Sequence, residues 1–317
     1  MQLSTEVKIN PLEQKICYGD KMLFLGSCFA DEVGKICRNL GFDALLNPFG
    51  VLFNPMSIAS ALTRLKSGEH YTHNDVISVG EGEFCCTFEH NTEFWETSEE
   101  SLICRINSEL DANTEHFKKT KWVIVSLGTA WIYKHKDTNK IVSNCHKLPS
   151  QLFERSLLTV EDITTALTDI VKSNPDKNFI FTVSPLRHLK DGLHENQLSK
   201  ASLLLAIDAV CKANSNAFYF PAYEILLDEL RDYRFYKEDM THPTEQAVRH
   251  IWGKFIDFAI AETDKETITE VEALQGMIRH RPMFPESRQY ALFIERKEAK
   301  MLELQRKYPK VLMDNVK

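Results

Sequence analysis

The sequence has few of the features that mark fibrous, low-complexity or membrane-spanning chains. Its 317 residues include twelve glycines and eleven prolines, which excludes a collagen-like or low-complexity chain. No apolar run approaches the length of a membrane span, and residues 1–15 lack the basic start, apolar centre and small-residue cleavage site of a signal peptide. We therefore expect a cytoplasmic protein that has no membrane partner.

The sequence also lacks an excess of basic over acidic residues and any C-x-x-C pair of cysteines. The chain has 38 Lys and Arg against 45 Asp and Glu, so its formal net charge is −7 and its composition indicates no phosphate-binding face. Its eight cysteines include no C-x-x-C pair, which fits reduced thiols better than a disulfide framework. We expect no nucleic-acid partner.

The chain does have a large apolar fraction, arranged in alternating strand and helix patterns. Apolar residues make up 43% of it and charged residues 26%, a balance that allows a sizeable core. Short apolar runs predict buried strands, and apolar spacings of three and four predict amphipathic helices. The predicted strands cover residues 22–25, 122–127 and 179–183, and the predicted helices 29–40, 56–65, 98–118, 160–172, 197–212 and 244–260. Strands separated by helices favour a parallel, doubly wound α/β sheet.

Smaller elements and the C-terminal end complete the predicted organisation. Residues 66–118 are a candidate insertion, and residues 130–133 with 140–142 predict a small hairpin. Beyond residue 260 the pattern shows helices alone, predicted at residues 265–279 and 287–307. We predict a main domain over residues 1–260 and a helical extension over residues 261–317.

A serine follows the first predicted strand, in the sequence GSCFA at residues 26–30. At a turn between a buried strand and a helix, Ser27 can present its hydroxyl and aim backbone N–H groups at an anion. Serine is also a good N-cap, so capping of the next helix is the alternative interpretation. Cys28 is a second possible nucleophile, ranked below Ser27 because small buried thiols are commonly inert.

An aspartate and a histidine lie three residues apart near the end of the predicted main domain. Asp239 can fold back within one turn, accept the imidazole N–H of His242 and stabilise the charged ring that forms when His242 takes a serine proton. His242 would then be the base and Asp239 the residue that orients it. A plain helix start, in which Asp239 or Thr241 is the cap, would show the same pattern.

Other polar residues follow predicted strands or lie in loops. Gly128 and Thr129 come after the second strand, where a backbone N–H or a hydroxyl could help bind an oxyanion, although a plain turn is the alternative. His146, Arg187 and His188 are candidates for the rim of a substrate site. A metal site of Cys145, His146 and His188 is disfavoured because zinc ligands usually include closer pairs, and we predict no metal.

Together these segments resemble a known family. Residues 26–30 reproduce the signature that names the GSCFA family, which is placed within the SGNH or GDSL-like hydrolase superfamily. The resemblance covers roughly residues 20–260. The further matching segments are Asn47-Pro48-Phe49-Gly50-Val51, Asn144-Cys145-His146-Lys147, Ser184-Pro185-Leu186-Arg187-His188 and Asp239-Met240-Thr241-His242-Pro243.

The resemblance implies a three-layer α/β/α, flavodoxin-like fold and ester or acyl chemistry. The superfamily is described by short sequence segments called blocks. Ser27 matches the nucleophile in its first block, and Asp239 with His242 matches its last block. Gly50 resembles in position the glycine of the second block, but the third block usually reads Gly-x-Asn and this chain has no asparagine there. The remaining oxyanion donor is therefore Thr129 or another residue such as Asn47.

The leading hypothesis is a serine esterase that acts on a small-molecule or carbohydrate ester through an acyl-enzyme. The amides of Ser27 and Gly50, together with Thr129, would bind the oxyanion, and no metal or organic cofactor is required. An acyltransferase would use the same intermediate. A non-catalytic acyl- or glycan-binding module and an interaction protein that uses the C-terminal helices are the alternatives from other classes.

Overall fold

A five-stranded parallel sheet forms the centre of the computed structural model, which describes residues 5–316. Numbered along the chain with the peripheral strands included, the five are β1 (Lys21–Gly26), β2 (Asp43–Leu46), β5 (Thr120–Leu127), β9 (Asn178–Val183) and β10 (Ala217–Tyr219). They lie in the order β10-β9-β5-β1-β2, and each neighbouring pair is parallel. The three strands predicted from apolar runs are confirmed.

Helices cover both faces of this sheet. Because side chains alternate along a strand, Leu23 and Leu25 of β1 enter one apolar cluster, and Met22 and Phe24 enter the other. The first cluster is completed by α2 (Pro55–Ser67), α3 (Glu99–Lys118), α4 (Val160–Ser173) and α5 (Leu193–Ala213). The second cluster is completed by α1 (Cys28–Asn39), α7 (Glu245–Ala259) and α8 (Glu262–Arg279), and a short α6 (Ala222–Glu224) continues into the π-helix Ile225–Leu230. The predicted three-layer α/β/α architecture is thereby confirmed.

Smaller antiparallel elements lie beside the main sheet. The first is β3 (Val76–Val79) with β4 (Phe84–Thr87), and the second is β6 (Trp131–His135) between β7 (Ile141–Val142) and β8 (Phe153–Leu157). The predicted hairpin of residues 130–133 and 140–142 is confirmed as the pairing of β6 with β7. Neither β2 nor β8 was predicted, because each is a short strand without a fully buried apolar run.

The C-terminal segment packs onto the second cluster. Val271 of α8 and Leu304 of α9 (Arg288–Lys307) are fully buried there. Glu270 binds Lys300 and Lys307, and these bonds lower the pKa of Glu270 to about 2. Across residues 5–316, none of the helices combines the length and apolar character that a membrane span needs.

The strand order fixes where a ligand site can form. When the parallel strands β1, β2, β5, β9 and β10 are counted 1 to 5 along the chain, their order in the sheet is 2-1-3-4-5, as in flavodoxin-like folds. The direction of this order changes between β1 and β5. Ligands of open α/β sheets bind at the carboxyl ends of the strands beside such a point. Ser27 follows β1 and Gly128 follows β5, so both lie at this edge.

Candidate functional site

Ser27 lies at the turn between β1 and α1. It is 1% exposed, and its hydroxyl accepts a 3.3 Å hydrogen bond from the Phe29 amide, so the predicted capping of α1 is observed. The same hydroxyl oxygen lies 2.9 Å from that of Ser126 in β5, in contact across the two central strands. Ser27 is therefore both a helix cap and a buried polar group at the carboxyl edge of the sheet.

Asn47 joins this turn from the end of β2. Its Oδ1 accepts a 2.9 Å hydrogen bond from the Gly26 amide, directly before Ser27. Its backbone has a φ of +39°, in the left-handed region that asparagine tolerates better than most residues. The Nδ2 of Asn47 is buried and has no hydrogen-bond partner among residues 5–316. Asn47 thus provides an unused N–H donor beside Ser27.

The backbone amides expected to bind an oxyanion already have acceptors. The Ser27 amide donates to Ser126 O at 2.9 Å, and the Gly50 amide donates to Asn47 O at 2.7 Å. The Gly128 and Thr129 amides both donate to the Phe53 carbonyl, at 2.8 and 3.0 Å. None of these amides is open to a substrate in this structure. The Cys28 amide differs from them because it lies at the first residue of α1, where an N–H has no acceptor within the helix.

The structure brings Asp239 and His242 together. Asp239 Oδ2 lies 2.6 Å from His242 Nδ1, and Oδ1 accepts the amides of His242 and Thr241, each at 2.9 Å. These two backbone hydrogen bonds lower the pKa of the Asp239 carboxyl well below its usual range. His242 Nε2 has no hydrogen-bond partner in the described part of the chain, so the nitrogen opposite Asp239 is available as a base.

The segment that carries this pair lies along the carboxyl edge of the sheet. Lys237 Nζ contacts Glu32 Oε1 of α1 at 3.3 Å, and Thr241 lines a cavity together with Thr129 and His188. A charge on His242 is among the causes that lower the pKa of His188. Ser27, however, is hydrogen bonded to Ser126 rather than to His242.

A polar stripe on α5, not predicted from the sequence, supports the loops at this edge. Lys200 Nζ donates to the carbonyls of Gly128 and Ser184 at 2.6 and 2.7 Å. Ser199 Oγ accepts the Ala130 amide at 2.8 Å, and Asn196 Oδ1 accepts the His188 amide at 3.0 Å. The signal available in the sequence was that these three residues, spaced at i, i+3 and i+4, continue the buried stripe of Leu203 and Ile207.

The Lys200 ammonium is buried and lacks a carboxylate partner in residues 5–316. Burial, with a smaller contribution from the charge of Arg187, lowers the pKa of Lys200 to about 7. Burial also lowers the pKa of His188 to about 4, with the Lys200 charge as the next cause. A Cβ added to Gly128 would lie 3.2 Å from His188 Nε2, so His188 lies directly against the loop after β5.

Arg187 and His188 line a cavity of about 480 Å³ at the carboxyl edge. Arg187 Nη1 donates to Gln197 Oε1 at 2.7 Å, and the guanidinium lies 5.8 Å from the centre of the Tyr223 ring. The further residues that line this cavity are Phe53, Thr129, Trp131, Tyr133, Arg155, Leu189, Lys190, Asp191 and Thr241.

His146 is held by other contacts. It is buried, its Nδ1 accepts the Trp95 indole N–H at 2.9 Å, and its Nε2 lies 2.9 Å from Thr87 O. Both ring nitrogens are therefore engaged by the segment around β4, and the structure does not bring His146 to Ser27 or His242. Within residues 5–316 there is no group of three His, Cys, Asp or Glu side chains that could hold a metal ion.

Two parts of the chain match described protein families. No curated protein matches it. The family described as the GSCFA family matches residues 21–255, which include β1, Ser27 and the Asp239–His242 pair. The C-terminal domain described for GSCFA domain proteins matches residues 271–317. Since the first match covers well over half of its length, the chain belongs to the GSCFA family.

Proposed function

We propose that the protein is a serine ester hydrolase of the SGNH or GDSL-like type, acting on a small-molecule or glycan ester. The observation that carries the proposal is the 2.6 Å contact of Asp239 with His242, which leaves His242 Nε2 unpaired within residues 5–316, on the sheet edge where Ser27 follows β1. Membership of the GSCFA family supports a hydrolase. A reducing, cytoplasmic location stays a prediction.

The proposed reaction proceeds through an acyl-enzyme. Ser27 Oγ attacks the ester carbonyl carbon while His242 Nε2 takes the hydroxyl proton, and Asp239 stabilises the imidazolium that forms. The alcohol leaves with the proton that His242 returns to its oxygen. Water then attacks the acyl group, releases the carboxylic acid and restores the Ser27 hydroxyl.

Asn47 is the proposed side-chain donor to the oxyanion. Its Nδ2 lacks a partner in the described chain, and its Oδ1 is anchored to the Gly26 amide beside the nucleophile. The Cys28 amide at the start of α1 is the proposed backbone donor, aided by the positive end of the helix dipole. For the reaction, Ser27 must exchange Ser126 for His242 as its hydrogen-bond partner, and catalytic hydrogen bonds often tighten only when substrate is bound.

Cys28 is less suited than Ser27 to act as the nucleophile. Burial raises the pKa of the Cys28 thiol, and the nearby carboxylates of Glu32 and Asp31 raise it further. A thiol needs a lowered pKa to react as a thiolate at neutral pH. The local charges therefore favour the serine mechanism.

The test is labelling with a fluorophosphonate probe, together with hydrolysis of 4-nitrophenyl acetate. We expect Ser27→Ala and His242→Ala to abolish labelling and turnover. His250→Ala is the matched control, because His250 also pairs with a carboxylate, Glu229, at 2.7 Å and is similarly exposed. Cys28→Ala should retain labelling. Labelling that persists in Ser27→Ala would refute the assignment of the nucleophile.

The occupied amides favour a second candidate, a non-catalytic module that binds acyl groups or glycans. The Ser27, Gly50 and Thr129 amides all donate to backbone carbonyls, and the Ser27 hydroxyl contacts Ser126. This candidate predicts no labelling of the folded, intact chain. An acyltransferase would instead label at Ser27 and transfer the acyl group to an added alcohol in competition with water.

A further inference from the structure

The cavity of about 480 Å³ adjoins the residues proposed for catalysis. Thr129 contributes to it from the loop after β5, and His188 contributes from the loop after β9. Thr241, which directly precedes His242, also lines the cavity. A substrate whose ester reaches Ser27 and His242 would therefore place its remaining part in or beside this cavity.

The cavity is lined by cations and aromatic rings. Arg155 lies 3.7 Å from the centre of the Trp131 ring and forms an ion pair with Asp191, the acidic residue of the lining. Lys190 Nζ lies 5.7 Å from the centre of the Tyr133 ring. Since Arg155 balances the charge of Asp191, the charges of the remaining basic residues are not neutralised within the lining.

Among the basic residues that line the cavity, Arg187 and Lys190 have no carboxylate partner in residues 5–316. Arg187 Nη1 donates to the neutral amide oxygen of Gln197 and contacts the Tyr223 hydroxyl at 3.5 Å. Its Nε and Nη2 have no acceptor within the described chain, so the part of the guanidinium that binds planar anions is unused. This local excess of positive charge contrasts with the net charge of −7 of the whole chain.

We propose that this cavity binds an anionic group of the substrate, a carboxylate or a phosphate, through Arg187 and Lys190. The rings of Trp131 and Tyr133 provide an apolar surface for the part of the molecule that carries the anion. The identification of the ligand as an ester substrate rests on the proposed hydrolase function, whereas the binding of the anion does not require catalysis.

The test uses calorimetric titration of the full-length Ser27→Ala variant with three probes: methyl glucoside, methyl glucuronide and glucose 6-phosphate. The three share a hexose ring and differ in charge, and the two anions distinguish a carboxylate from a phosphate. We expect at least one anion to bind about tenfold more tightly than the neutral glucoside, with the preference decreasing at high salt. In this background, Arg187→Gln and Lys190→Gln should each remove most of the preference.

Lys134→Gln is the matched control, because Lys134 follows Tyr133 in β6 and projects from the opposite face of the strand. Because Lys190 is exposed, we expect Lys190→Gln to fold, so the test stays valid even if Arg187→Gln impairs folding. The proposal would be overturned by equal affinity for all three probes, or by no binding of either anion at millimolar concentration. It would also be overturned by a preference for the anions that survives both Lys190→Gln and a folded Arg187→Gln. Because Ser27→Ala performs no acyl chemistry, these outcomes are independent of fluorophosphonate labelling.

Discussion

The hydroxyl oxygens of Ser27 and Ser126 lie 2.9 Å apart, at the carboxyl ends of the adjacent strands β1 and β5. Both residues are almost completely buried. In the proposed reaction Ser27 needs His242 as its partner, so Ser126 competes for the same hydroxyl group. We therefore expect the hydrogen bond between Ser27 and Ser126 to affect the rate at which Ser27 reacts.

Ser126→Ala should accelerate fluorophosphonate labelling of Ser27. Loss of one hydrogen bond, worth about 1 kcal/mol, corresponds to a rate increase of about fivefold. The rate of labelling under pseudo-first-order conditions measures the effect. Thr182→Val is the matched control, because Thr182 pairs with Ser126 across β5 and β9 and its buried hydroxyl has no partner in residues 5–316. A slower reaction in Ser126→Ala would instead make Ser126 a supporting residue of the nucleophile.

Asn47→Asp should lower kcat by about 10²- to 10³-fold, the usual effect of losing one oxyanion donor. The substitution keeps an oxygen that can accept the Gly26 amide and removes the Nδ2 donor. Steady-state hydrolysis of 4-nitrophenyl acetate measures the change. Asn54→Asp is the control, because Asn54 is also buried and its side-chain oxygen accepts the Ser57 amide at the start of α2. Unchanged kcat in a folded Asn47→Asp variant would exclude Asn47 as the oxyanion donor.

The sequence predicted those parts of the structure that depend on local pattern. Residues 22–25, 122–127 and 179–183 are apolar except for Ser126 and Thr182, and this pattern indicates strands that are covered by helices on both sides. The proximity of Asp239 to His242 was also predictable, because three residues span a single turn. Local sequence pattern was therefore sufficient to predict the central strands of the sheet and the contact between Asp239 and His242.

The remainder of the site depends on contacts between distant segments. Lys200 reaches Gly128 and Ser184 only because α5 packs across the ends of two strands. Likewise, the acceptor of the Gly50 amide and the unused Nδ2 of Asn47 follow from the path of the loop after β2. No periodicity in the sequence carries this information, because it concerns the pairing of individual hydrogen-bonding groups.

Asp239→Asn should lower the rate of labelling and kcat by between about 10²- and 10⁴-fold. An asparagine can keep the bonds that Asp239 accepts from the backbone amides, but it loses the negative charge that stabilises the His242 imidazolium. Asp232→Asn is the matched control, because Asp232 is similarly exposed and accepts the Arg234 amide in the same loop segment. Equal rates for the two variants would show that the Asp239–His242 contact is structural.

Lys200 should make the stability of the protein depend on pH. The pKa of Lys200 is about 7 in the folded protein, against 10.5 for an ordinary lysine, so the unfolded chain binds more protons between these values. The free energy of unfolding should therefore rise from about pH 7 to about pH 10.5 through this group. His188 does not contribute over this range, because its pKa is about 4.

Urea denaturation of the wild type and of Lys200→Met, measured in steps across this range, tests the prediction. The difference in unfolding free energy between the two proteins should change in favour of the wild type as pH rises, because methionine has no proton to release. Lys177→Met is the control: Lys177 is equally buried but pairs with Asp176, and its variant keeps Lys200 and hence the same rise. A wild-type advantage that stays constant with pH would show that Lys200 remains charged between the Gly128 and Ser184 carbonyls. In that case the loops after β5 and β9 would be held by a permanent buried cation, and the same charge would favour an oxyanion at the adjacent sheet edge.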